Sequence, residues 1–303
     1  MDALLAKDLV VVTGKGGAGK TTVAAALGLA AAARGRRVVV AEVAARDELA
    51  RALGGGRAEP FVERSVAPGL HHVSIEPQRA MEEYLVDQLP SRALAEVLVR
   101  SRLFAYLAAA TPGLRELLTM GKAWELAQAE RRTPGAAPYD LVVLDAPATG
   151  HGLALLAAPR TFADAAQVGP ISRQGRTIHR MLTDRARTGI VAVAAPEELP
   201  VNEALALRDA LRDRLGLDLD RVVLNGMLPD RLTAAESGTL EGAGNARAVR
   251  LARHHHRRAR AQRAQAARLR RGLRGEVPLT SLPYLFRGEL GAADLRQLAG
   301  RLR

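Results

Sequence analysis

The chain has no cysteine. Disulfides, zinc thiolate centres, iron–sulfur clusters and thiolate capture of trivalent arsenic or antimony are therefore all excluded. No apolar run approaches the roughly 18 residues that a bilayer-crossing helix needs. The opening residues, Met1 to Lys7, lack the layout of a signal peptide and lead into an apolar run; the expectation is a cytoplasmic protein. Lysine is scarce, with only Lys7, Lys15, Lys20 and Lys122. Acid is missing from residues 247–275, which hold eleven arginines and so account for nearly the whole formal net charge of +12. The basicity belongs to one segment rather than to the chain as a whole.

What is present is the composition of a folded protein, 48% hydrophobic and 25% charged over 303 residues. Apolar, β-branched runs alternate with helical patterns. Strands are expected at 9–13, 37–42, 70–75, 139–145, 190–195, 221–225 and 276–279, several of them apolar throughout, as strands covered on both faces are. The fold class that follows is α/β: a mostly parallel sheet flanked by helices, one P-loop domain over residues 1–303. Between residues 79 and 130 the period turns helical, with segments 79–88, 91–109 and 113–130 broken by Pro90 and Pro112. This reads as a helical subdomain inserted between two strands. Residues 231–246 read as a loop.

Residues 14 to 22, Gly-Lys-Gly-Gly-Ala-Gly-Lys-Thr-Thr, carry the strongest signal. Gly14, Gly19, Lys20 and Thr21 meet the phosphate-loop pattern, between an apolar strand and an alanine-rich helix expected at 23–33. Glycines at 14, 16, 17 and 19 let backbone N–H groups curl around a phosphate at a helix N-terminus. The loop as a whole, Gly14, Lys15, Gly16, Gly17, Ala18, Gly19, Lys20, Thr21 and Thr22, is the expected binding site for ATP. Leu141 to Asp145 is four apolar residues and an acid, the form of a strand that supports Mg²⁺; Thr21 and Asp145 are the expected metal residues.

The second lysine, Lys15, resembles the deviant phosphate loop of the class that contains MinD, ParA, the nitrogenase iron protein and the ArsA-type ATPases. Asp145-Ala-Pro-Ala-Thr-Gly-His151 resembles the ArsA-type switch II, usually D-T-A-P-T-G-H. Pro196-Glu-Glu with Glu203 is similar to that family's P-E-E segment, Val223-Leu-Asn225 to its adenine-contacting strand end, and Pro278 to Tyr284 to its adenine loop. The matches run in order along nearly the whole chain. The resemblance implies a nucleotide-switched dimer acting in transport, targeting or assembly. Lys20 would serve the β and γ phosphates of its own subunit and Lys15 those of the partner; Asn225 and Pro283 would contact adenine.

Two departures stand out. The switch I aspartate that positions the attacking water falls on Ala44 here, which leaves Glu42 as the candidate to replace it, with local pairing or capping as its alternative role. Slow turnover follows as an expectation, with the chain either a homodimer or one half of a heterodimer with a paralogous ATPase. The missing cysteines remove the family's thiolate-bound arsenite and its C-x-x-C zinc clamp. A hydrolysis-impaired scaffold subunit is the first alternative, and a ParA-like ATPase placed on DNA or membrane by its basic helix the second. The insertion corresponds to the family's cargo subdomain, so a protein cargo or membrane partner is expected. Leu103, Phe104, Leu107, Leu114, Leu117, Leu118, Met120 and Trp124 are either its groove or ordinary core. The arginine segment, a helix expected over 245–274, is either a solvated outer face or a surface for an anionic partner, with nucleic acid the lesser candidate.

Overall fold

In the computed structural model, residues 1–302 are described apart from 44–46, 57–58, 90, 102–109, 134, 167, 234, 237, 240–242 and 245. In chain order they form α1 (Asp2–Leu5), β1 (Leu9–Gly14), α2 (Lys20–Ala32), β2 (Val38–Val43), α3 (Glu48–Ala52), β3 (Arg64–Ala67), β4 (Leu70–Ile75), α4 (Pro77–Gln88), α5 (Arg92–Arg100), α6 (Leu114–Leu126), β5 (Leu141–Ala148), α7 (Thr149–Ala166), α8 (Pro170–Thr183), β6 (Thr188–Ala194), α9 (Glu198–Ala210), β7 (Arg221–Met227), α10 (Arg247–Gly272), β8 (Leu279–Pro283) and α11 (Ala292–Arg301). The strands join one sheet in the order β3-β4-β2-β5-β1-β6-β7-β8, parallel throughout except for β3 against β4.

Alternation along each buried strand explains the two layers. Leu9 and Val11 of β1 join a core with residues of α6, α7, α8 and α9. Val10 and Val12 join another with α2 and α11. Each fully buried aliphatic side chain contributes about 1.5–3 kcal/mol, so the central strands are fixed from both sides. The apolar runs Val38–Val40 and Leu141–Leu144 are fully buried for the same reason.

Three boundaries differ from the sequence expectation. Helix α2 begins at Lys20, three residues early, because left-handed Gly19 serves as its N-cap. The last strand is not 276–279: β8 runs from Leu279 to Pro283. Its approach is a turn, and Pro278, which has no N–H, contributes only its carbonyl, accepting from Val222 N at 3.0 Å. Strand β3 has no periodicity of its own; the Pro68-Gly69 turn folds it back antiparallel on β4, with Gly69 at φ 72°.

The described residues of 79–130 are mostly helical. Pro77 opens α4, Ser91 Oγ accepts from Leu94 N to cap α5, and α6 ends at Leu126 rather than at residue 130. Met120 lies in the core and Trp124 packs against it, whereas Leu114, Leu117 and Leu118 line a cavity of about 180 Å³ with Met81 and Tyr84. Leu103, Phe104 and Leu107 lie outside the described residues.

A buried ionic network ties the insertion to the sheet edge. Lys122 Nζ sits 2.8 Å from Glu83 Oε1 and 2.9 Å from Glu125 Oε2. Arg131 bonds Glu125 at 2.9 Å and Glu63 at 2.5 Å, and Tyr139 OH donates to Glu63 at 2.7 Å. Burial alone would raise both carboxyls, but the bonds from Arg131 and Tyr139 and the charge of Arg131 hold Glu63 below its ordinary value. Lys122 and Arg131 do the same for Glu125. The stabilisation is therefore complete above the unfolded carboxyl value of about 4.3 and is lost as pH falls through the lower folded values. Melting temperature followed from neutral pH to pH 3 should fall on the acid side. Arg131→Met should lose about 1.5–3 kcal/mol at neutral pH, because Glu125 keeps Lys122 and Glu63 keeps Tyr139 but each loses its guanidinium partner, and should flatten that acid slope.

Candidate functional site

The phosphate loop is built by close backbone contact. Gly14 has φ 142°, and a Cβ there would lie 2.1 Å from the Val193 carbonyl oxygen on β6. Only glycine fits where the first strand leaves the sheet. At Gly19, φ 87°, a Cβ would lie 2.2 Å from Asn225 Nδ2. That space admits the Asn225 amide from the end of β7, which donates to Ala18 O at 3.0 Å and pins the loop. Gly16, Gly17 and Ala18 make the turn between them. Lys20 opens α2 with only 8% of its surface exposed, its Nζ folded back to Lys15 O at 3.3 Å. Thr21 and Thr22 face a space of about 750 Å³ that Glu48, Arg51, Glu289 and Leu290 also line. Those last four carry no motif that marks them in the sequence.

The expected metal residues meet. Thr21 Oγ1 donates to Asp145 Oδ2 at 2.5 Å, joining the first turn of α2 to a β5 carboxylate that is 2% exposed. β1 and β5 pair Val12 with Asp145 but Gly14 with Ala148. The extra residue on β5 bulges the strand beside the loop and brings Ala148 and Thr149 against it. A hydroxyl and a carboxylate converging on a helix N-terminus form the oxygen donor set that Mg²⁺ takes. The residues present fit that ion. Among the described residues no cluster of three or more His, Cys, Asp or Glu side chains forms a separate metal site.

Lys15 points away from the cradle. Its Nζ lies 3.1 Å from Glu203 Oε1 on α9, and Glu203 Oε2 accepts from Thr149 Oγ1 at 3.1 Å. One carboxylate thus holds both the second lysine and the residue four places past Asp145. These groups line an open space of about 480 Å³ with Gly150, Leu153 and Ala210. The sequence marked Glu203 only as part of a segment; its contact with Lys15 depends on α9 crossing the end of the sheet.

Glu42 is turned inward. It is 0% exposed, its Oε2 pairs with His72 Nε2 at 2.7 Å, and the same oxygen accepts from Leu49 N at 3.2 Å. Those bonds tie β2, β4 and α3 together, the pairing and capping role that the sequence left as its alternative. Ala44 lies outside the described residues. Asn225 lies two residues before the end of β7 and Pro283 ends β8, where Met227 pairs with Pro283 and Tyr284 N donates to Met227 O at 2.8 Å.

A glycine-rich turn feeding a helix N-terminus, with a threonine and a strand-borne aspartate beside it, defines a P-loop nucleoside triphosphatase. Within that class, the sequence profile of the anion-transporting ATPases, the ArsA type, matches residues 7–174 and 164–253. The chain belongs to that family, and it is an ATPase. It is 34% identical over 251 residues to the ATPase BagA of Mycobacterium tuberculosis, covering 80% of this chain and 72% of that one. It is 32% identical over 244 residues to an uncharacterised Streptomyces coelicolor protein, covering 80% of this chain and 56% of the other. The arsenical pump-driving ATPase of Acidiphilium multivorum is 24% identical over 241 residues, which span 72% of this chain but 39% of that protein. No helix among the described residues is long and apolar enough to cross a membrane.

Proposed function

We propose that the chain is a nucleotide-switched dimeric ATPase in which each nucleotide is completed by a lysine from the partner subunit. The observation that carries this reading is Lys15 standing at the rim of its own loop, drawn to Glu203, while Lys20 occupies the cradle. In this reading the loop N–H groups and Lys20 hold the β and γ phosphates, and Lys15 neutralises charge on the partner's γ-phosphate when the dimer closes. Thr21 and Asp145 would hold Mg²⁺, which neutralises phosphate charge. Asn225 and Pro283 would contact the base. Glu42 acts by positioning α3 through Leu49, not by orienting water. With no aspartate at position 44, turnover by the chain alone is slow and a paralogous subunit is the partner that would raise it. The missing cysteines argue against arsenite as its ligand.

Glu203 links the two halves of this switch. Lys15 must leave it to reach a partner, and Thr149 on switch II shares it. Light scattering of the pure chain with ATP and Mg²⁺ should show monomer passing to dimer. Glu203→Gln should shift the half-point to about fivefold lower protein concentration, the scale of a partly exposed ion pair lost from each subunit. A chain that stays monomeric with ATP, alone and with co-purified paralogue, yet hydrolyses it rapidly would overturn the reading.

A further inference from the structure

Helix α10 presents its charge in a line. Ala259, Gln262, Ala266 and Leu269 are its buried residues, and the helix packs with that side against α9 and β7. Gln262 Oε1 accepts from Leu228 N at 2.8 Å, just beyond the end of β7. On the opposite side, Arg250, Arg253, Arg257, Arg260, Arg268 and Arg271 recur at helical spacing, a stripe about 32 Å long at 1.5 Å per residue. Arg257, Arg260, Arg268 and Arg271 are exposed, and among the described residues none of these four is ion-paired to a carboxylate.

We propose that this stripe docks on the surface of an anionic phospholipid bilayer. A straight row of guanidinium groups separated by small side chains meets a plane along its whole length, whereas the curved backbone of a duplex meets such a row only where it crosses. Charge alone carries the contact: the exposed apolar residues at the N-terminal end of α10, Leu251 and Phe286, gather on the packed side with His255, whose Nε2 lies 3.1 Å from Pro229 O, and stay clear of the stripe. The contact is peripheral and reversible, and Gln262, on the packed side of the same helix, accepts from Leu228 N three residues beyond Asn225, which pins the phosphate loop.

The test is flotation of the full chain with phosphatidylcholine vesicles, with and without phosphatidylglycerol. The chain should float with the anionic vesicles, stay behind with the neutral ones, and be released by high salt. The combined variant Arg257→Gln, Arg260→Gln, Arg268→Gln and Arg271→Gln should weaken binding on the order of 500-fold, close to fivefold per arginine. The four corresponding Arg→Lys changes should retain it, which separates charge from any effect on folding. Equal flotation with both vesicle types, or anionic binding that survives the glutamine variant, overturns the proposal. So does tighter binding to duplex DNA at matched phosphate concentration that the same variant abolishes; the stripe would then be a nucleic-acid surface.

Discussion

Replacing Lys15 with alanine is expected to lower turnover at saturating ATP by about 10³-fold or more, while ATP affinity stays within a few-fold of the unaltered chain. The split follows from where the two lysines stand. Lys20 is buried under the loop, where in the proposed reading it would serve ground-state binding as well as chemistry. Lys15 reaches outward to Glu203, so its loss leaves the cradle formed by the loop backbone, Thr21 and Asn225 intact. A cation supplied only when two subunits close acts on charge that develops in the transition state, and this places its effect in kcat rather than in KM. Steady-state hydrolysis beside equilibrium binding of a labelled nucleotide reads the two separately. A proportional loss of affinity and rate would assign Lys15 to its own subunit's phosphates.

Gly14→Ala should be the most damaging single methyl addition in the molecule. Its φ of 142° is a conformation that alanine rarely adopts, and the new Cβ would lie 2.1 Å from the Val193 carbonyl oxygen. Backbone strain of about 1–3 kcal/mol and overpacking of similar size would combine to roughly 3–5 kcal/mol. Relief requires β1 to part from β6, which carries Val193, at the point where the loop begins. The melting temperature should fall by about 10 °C, and the remaining folded protein should bind ATP poorly. A stable Gly14→Ala protein with normal nucleotide affinity would mean that the loop's path differs from the one described. Gly17 is also left-handed, at φ 80°, but has no atom within 4 Å of a would-be Cβ, so its alanine variant should cost only the backbone strain of about 1–3 kcal/mol.

The parts of this molecule that a sequence shows plainly are those with local cause. Valine runs covered on both faces mark β2 and β5, and the spacing of Gly14, Gly19, Lys20 and Thr21 marks the loop, because one turn of backbone decides both. What was hidden depends on contacts between distant residues. His72 meets Glu42 across 30 positions, and Arg131 meets Glu63 across 68; no periodicity announces a buried charge pair. Glu42 looked available at a strand end, and its burial against His72 and Leu49 is a property of the packed sheet. The contact of Glu203 with Lys15 likewise appears only once α9 lies over the loop. Strand β3 is not legible in the sequence because four residues at an edge carry too little pattern to rise above the Pro68-Gly69 turn.

Mixing two inactive chains tests the shared site most directly. Lys15→Ala keeps a cradle but lacks the donated lysine; Lys20→Ala lacks the cradle lysine but can donate Lys15. Each alone should be nearly inactive. Together they should form mixed dimers with one complete site, so hydrolysis should reappear and rise with the fraction of mixed dimer. If the mixture is no more active than the separate variants, while cross-linking shows that mixed dimers have formed, Lys15 does not act across the interface and the central claim fails.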